Sequence, residues 1–117
     1  MAQSPSSATK TARLVSAAAS TNATVAKAAN GTLRRITGYN ARGSAVYLRL
    51  YDTATAPTVG TTAPRKTIYL PTATAFHLDF DDYFGQGISY SLTTGSADND
   101  TGAVSSGDIL ALNIDYL

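Results

Sequence analysis

The chain has 117 residues, a formal net charge of +1, no Cys, no Trp and no Glu. One domain is the simplest organisation, and it buries roughly two-thirds of the surface the unfolded chain exposes. Near-neutral charge excludes a broad electrostatic footprint for nucleic acid or an anionic membrane, and the lack of Cys excludes a disulfide framework and thiolate metal sites.

The first segment, 1–13, is polar and small, with Pro5 and several Ser and Thr residues, and reads as an arm preceding a β domain over 14–117. It lacks the basic start and apolar stretch of a secretory signal, and no later stretch is long enough to span a bilayer as a helix. Asn22, Asn30 and Asn99 head Asn-x-Thr sequons, for which chance is the simpler explanation in an Asn- and Thr-rich chain. Ala-rich residues 12–29 invite a helix, but Ser16, Ser20, Thr21, Asn22 and Thr24 compete with helical hydrogen bonds or are β-branched. Two short strands are predicted, at 12–18 and 24–29. Asn30-Gly31 then suits a type I′ hairpin.

In 32–40, Leu33 and Ile36 have opposite parity, so a bulge at Arg34 or Arg35 is needed to keep one buried face. The next strand, 45–52, alternates cleanly. Val46, Leu48 and Leu50 point one way, and Tyr47, Arg49 and Tyr51 the other, predicting an aromatic and basic outer face. A Pro57 and Gly60 loop leads to a strand holding Ile68, Tyr69 and Leu70, which Pro71 ends. Residues 75–80 place Phe76, Leu78 and Phe80 inward against His77 and Asp79, and Asp81-Asp82-Tyr83 opens a connection. Residues 87–93 alternate Ile88, Tyr90 and Leu92 against Ser89, Ser91 and Thr93; a loop over 95–107 follows. The last strand, 109–116, buries Leu110, Leu112 and Ile114 or the alternate set. About eight short strands at this spacing predict a single-domain antiparallel β-sandwich of jelly-roll or Greek-key type.

Catalytic signals are weak. His77 is the only histidine, with Asp79 two residues on and no nucleophile elbow or Cys nearby in sequence, so no enzymatic role is expected. Asp79, Asp81 and Asp82, or Asp98, Asn99 and Asp100, carry oxygen ligands suited to Ca²⁺, but lack EF-hand spacing; turn formation is the simpler reading and no cofactor is expected. Gly85-x-Gly87 is too short to indicate phosphate binding. The seven Tyr residues matter more. Exposed Tyr beside Arg is interface vocabulary, whereas cross-strand Tyr packing on a solvated sheet explains the same residues. Arg13, Arg34, Arg35, Tyr47, Arg49, Tyr51 and Tyr69 are the candidate contact residues.

Tyr47-Leu48-Arg49-Leu50-Tyr51-Asp52, then Ala54-x-Ala56-Pro57-Thr58-Val59-Gly60-Thr61, the stretch Gly87-Ile88-Ser89-Tyr90-Ser91-Leu92-Thr93-Thr94-Gly95-Ser96-Ala97-Asp98 and a closing Gly107-Asp108-Ile109 occur in order. From about Ser16 onward this pattern resembles small virion proteins of tailed bacteriophages, of the capsid decoration or cement kind. The resemblance implies a β-sandwich made in the bacterial host cytoplasm that binds the major capsid protein on the phage head, often as a trimer or dimer. It implies no enzymatic reaction, and the near-neutral charge speaks against nucleic acid or a membrane as partner. The alternative within the same resemblance is a head-fibre or tail-associated module that binds carbohydrate or a receptor.

Overall fold

A computed structural model describes residues 9–117. Among these residues the chain is all-β, with eight strands: β1 (Lys10–Ser16), β2 (Thr24–Lys27), β3 (Gly31–Asn40), β4 (Val46–Tyr51), β5 (Lys66–Leu70), β6 (Thr74–Phe84), β7 (Ile88–Thr93) and β8 (Ile109–Tyr116). They form two antiparallel sheets, in the orders β1-β8-β3-β6 and β2-β7-β4-β5. Only β4 and β5 are consecutive neighbours within a sheet; every other connection passes from one sheet to the other. Two interleaved Greek keys of this kind make a jelly roll.

The core lies between the sheets. Leu33, Ile36, Phe84, Leu112 and Ile114 from the first sheet face Val46, Leu48, Leu50, Leu70, Ile88 and Leu92 from the second, all fully buried. Each such side chain contributes about 1.5–3 kcal/mol through removal from water. β3 keeps its buried face because the register shifts between Leu33 and Arg35 against both β6 and β8. Leu33 and Ile36 are therefore both inside, while Arg34 and Arg35 are both exposed, as a bulge requires. A second irregularity lies opposite, between Thr37 and Tyr39, where Ala111 of β8 takes a positive φ of 52°. Leu110 is thereby turned to the outside, 37% exposed, while Leu112 and Ile114 stay in the core.

Three expectations are corrected. Asn30-Gly31 does not close a hairpin: β2 and β3 belong to different sheets, and neither residue has the positive φ of a type I′ turn. The dipeptide carries the chain across the sandwich. Asp81, Asp82 and Tyr83 do not open a connection but continue β6 to Phe84, paired through Tyr83 and Asp82 with Thr32 and Leu33. The arm expected over 1–13 falls partly outside the described residues, and from Lys10 the chain is already β1, hydrogen-bonded along β8.

Between edge strands β5 and β6, Asp82 turns inward opposite Leu33 and accepts Arg65 Nη2 and Lys66 Nζ, each at 2.7 Å. Arg65 lies over Phe84, 4.9 Å from the ring centre, and Lys66 over Phe80 at 5.1 Å. The cations' stems cover this open side of the core while their charges meet Asp82 at its rim. An inward-pointing charge on an edge strand also discourages unspecific pairing.

Candidate functional site: the two outer faces of the sandwich

The outer face of the β2-β7-β4-β5 sheet is largely not a surface. Arg49 is 0% and Tyr51 1% exposed, and Ser89, Ser91 and Thr93 of β7 are buried beside them. The expected outward aromatic and basic face is thus corrected at these two positions. Parity placed the side chains on the outside of the sheet, but the β4–β5 loop (52–65) and the β7–β8 loop (94–108) lie across it. Small hydroxyl residues on β7 let these loops approach closely, and each hydroxyl has a partner. Tyr51 Oη meets Ser91 Oγ at 2.9 Å, Ser89 Oγ donates to the Thr53 carbonyl at 2.8 Å, and Thr93 Oγ1 donates to the Gly95 carbonyl at 3.0 Å.

Arg49 holds the second loop in place. Its Nε donates to Thr93 Oγ1 at 3.0 Å, Nη1 to Thr67 Oγ1 at 3.3 Å, and Nη2 to the carbonyls of Gly95 and Ala97 at 2.7 and 2.6 Å. Asp98 lies 3.7 Å from the guanidinium but is 81% exposed, so most of the charge is met by carbonyl and hydroxyl dipoles. Among the described residues no buried side-chain nitrogen or oxygen lacks a partner. The two loops also touch: a Cβ on Gly60, at φ 88°, would lie 2.6 Å from Thr101 Cγ2. Tyr47 and Tyr69 remain at the rim of this face. Their rings are 5.7 Å apart and tilted by 59°, with Tyr69 60% exposed and Tyr47 half-buried.

Among the described residues nothing lies across the outer face of the β1-β8-β3-β6 sheet. Arg13, Arg34 and Arg35 lie here, joined by Asp79 and by Thr11 and Asp115, for which the sequence carried no signal. Thr11, Asp115, Arg35 and Asp79 follow one another across the four strands in register. Thr11 Oγ1 donates to Asp115 at 2.7 Å, and Arg35 Nε to Asp79 at 3.2 Å, with Asp115 at 3.9 Å. Arg34 pairs with Asp81 at 3.2 Å. The Arg35 side chain, and His77 after it, hold the Asp79 carboxyl below the usual carboxylate range. An open depression of about 490 Å³ lies here, lined by Thr9, Thr11, Arg34, Arg35, Asp79, Phe80 and Asp115. Farther along the face the register brings Leu110 opposite Tyr39 and Tyr39 opposite Ala75. With Val15, 65% exposed on β1, these form an apolar band beside the charged row. Leu110 was ambiguous in sequence because the Ala111 kink breaks the alternation of β8.

The remaining chemical signals resolve locally. His77 Nε2 lies 3.2 Å from Asp79 Oδ1, both well exposed on one strand face. Among the described residues no three His, Cys or acidic side chains are grouped to hold a metal ion. Asp100 accepts the Gly102 N–H at 2.8 Å, and Asp108 accepts that of Ser105 at 2.8 Å, both turn roles. At Gly85-x-Gly87 the three successive N–H groups form an anion cradle, and its occupant is the chain's own Asp52. The Gln86 N–H bond leads the causes that lower the Asp52 pKa, ahead of those from Gly87 and Gly85. Comparison with protein-family models, with characterised proteins and with solved structures returns no match.

Proposed function

We propose that this chain is a structural virion protein of the tailed-phage decoration or cement type, binding the major capsid protein on the head surface and stabilising the shell. The observation that carries the reading is the β1-β8-β3-β6 over β2-β7-β4-β5 jelly roll, an architecture shared by viral capsid and lectin domains. That is a fold-level analogy. The resemblance of 47–61 and 87–98 to small virion proteins supports the narrower reading, as does an outer sheet face that is exposed among the described residues. There the band of Val15, Leu110 and Tyr39 supplies apolar area, and Arg13, Arg34 and Arg35 supply bidentate donors at its side. Arg49 and Tyr51 support the loops instead of the contact.

The test mixes purified protein with particles that lack it. Binding with increased resistance of the particles to heat is expected. Tyr39→Asp combined with Leu110→Asp puts charges into the apolar band and weakens binding at least about 30-fold, the effect of losing one central contact of about 2 kcal/mol. No binding by the unmodified chain refutes the reading. A second reading, a head-fibre or tail module for carbohydrate, draws on the Tyr47–Tyr69 pair, because exposed aromatic faces stack on sugar rings. It predicts glycan binding that Tyr69→Ala abolishes while particle binding is unchanged.

A further inference from the structure

The charges of the chain are unevenly matched. All eight acids have partners within it: Asp52 and Asp100 accept backbone N–H groups, and the other six meet arginines. Of the nine basic residues, Arg34, Arg35, Arg42, Arg49, Arg65 and Lys66 meet those acids, and Lys27 donates to the Leu117 carbonyl at 3.1 Å. Lys10 and Arg13 make no ion pair and no side-chain hydrogen bond among the described residues, and residues 1–8 contain no acid to serve them. Both belong to β1, an outermost strand paired on one side only among the described residues. We propose that the β1 edge takes up an extended, acidic segment of another protein as an additional strand of this sheet. The proposal rests on the decoration reading only for the identity of that protein.

Two properties of this edge fix the occupant. The first is that the other outermost strands are guarded against pairing and β1 is not. β2 has four residues and a register shift against β7, β5 has five and is ended by Pro71, and β6 turns Asp82 inward to Arg65 and Lys66. β1 runs for seven residues with no Pro and no register shift against β8. Its Ala12 and Leu14 pack against the core yet stay half-buried, so apolar side chains beside them on an added strand extend that core. Val15, 65% exposed on the outer face, takes a third apolar neighbour. The second property is charge. β1 of a second copy sets cations against cations, and the carboxylates of a second copy are already matched within their own chain. A foreign acidic segment meets Lys10 and Arg13 without breaking any pair. Running antiparallel to β1, it continues the alternation of the sheet; main-chain hydrogen bonds hold it and the alternate side chains select it. The segment that fits has acids opposite Lys10 and Arg13 and apolar residues opposite Ala12, Leu14 and Val15.

The experiment titrates the full chain with a labelled, end-capped peptide, Thr-Val-Val-Glu-Val-Thr-Glu, the antiparallel complement of β1, and reads fluorescence anisotropy. Saturable binding is expected by about 1 mM peptide, with amide hydrogen exchange slowed over 10–16. The same peptide with Lys in place of Glu is expected to bind at least about tenfold more weakly. Lys10→Glu combined with Arg13→Glu reverses the order of the two peptides, and the gained binding of the Lys peptide shows that the variant is folded. Methylating every second peptide nitrogen abolishes binding in one phase of the alternation and spares it in the other, which a contact made by charge alone does not do. No saturable binding of the acidic peptide overturns the proposal, as happens when a second copy or another part of the chain occupies the edge. Binding indifferent to the charge reversal, or to the phase of methylation, overturns it as well. The titration contains no particles, so its failure leaves the decoration reading to its own test.

Discussion

Replacing Arg49 by Ala removes the clasp that seats the β7–β8 loop on the sheet, and its consequence can be sized from the contacts. Four hydrogen bonds are lost, two to main-chain carbonyls at 2.6–2.7 Å. A bond to a charged group contributes about 1.5–3 kcal/mol net, and a truncated large side chain leaves a cavity as well. Against this, the freed carbonyls of Gly95 and Ala97 regain water once the loop lifts. The balance is a loss of about 3–5 kcal/mol, a large share of the roughly 6–17 kcal/mol that a 117-residue domain commands. Urea unfolding followed by tyrosine fluorescence measures the total, and amide hydrogen exchange locates it. Exchange is expected to rise first over 94–104. Arg49→Lys retains the charge without the planar fork and loses about half as much. Asp98→Ala, removing an 81% exposed partner, changes stability by at most about 1 kcal/mol. If Arg49→Ala loses under about 1 kcal/mol and leaves exchange in the loop unchanged, the clasp is not what holds the loop.

Asn40 is fully buried, its Nδ2 donating to the carbonyls of Ser44, Leu70 and Pro71 and its Oδ1 accepting the Arg42 N–H. Asn40→Ala leaves these groups without partners and is expected to lower stability by about 2–4 kcal/mol in urea unfolding; Asn40→Asp is worse, because it turns a carboxylate toward carbonyls. Gly87→Ala places a Cβ against the Thr53 carbonyl oxygen and 2.8 Å from Ala54 Cα, all backbone, so thermal unfolding should fall by at least about 8 °C, equivalent to about 2 kcal/mol. Gly43→Ala meets nothing within 4 Å and serves as the control. Acid weakens the fold through Asp52 and Asp82, whose carboxyls are held low chiefly by the Gln86 N–H and by Arg65. Their folded pKa values lie below the unfolded one, so the unfolded chain binds more protons in acid. The stabilisation is complete above about pH 5 and is lost as pH falls through about 4 and below. Asp52→Asn should flatten that slope in urea midpoints measured against pH.

Alternation alone carried most of the fold. β4, β7 and the first part of β6 are legible because the period of two separates a core set from an outer set, and the β3 bulge because Leu33 and Ile36 could share the core in no other way. Parity says on which side of a sheet a residue lies, not whether water is there. For that reason Arg49 and Tyr51 read as exposed: their cover comes from loops dozens of residues away in sequence, and only the packing of 52–65 against 94–108 buries them. Asn30-Gly31 failed for a related reason, since its turn preference is local and the choice of partner strand is not; the jelly-roll crossings outweigh it. Arg13, Arg34 and Arg35 were visible as basic residues on strands, but their union with Tyr39, Leu110 and the β6 carboxylates on one face depends on β8 and β6 flanking β3. Strand content, core residues and the lack of thiol chemistry are thus properties of the sequence itself. Which face the loops cover and which strands lie outermost among the described residues were decided by long-range pairing, because loop closure and sheet order join residues that no local pattern relates.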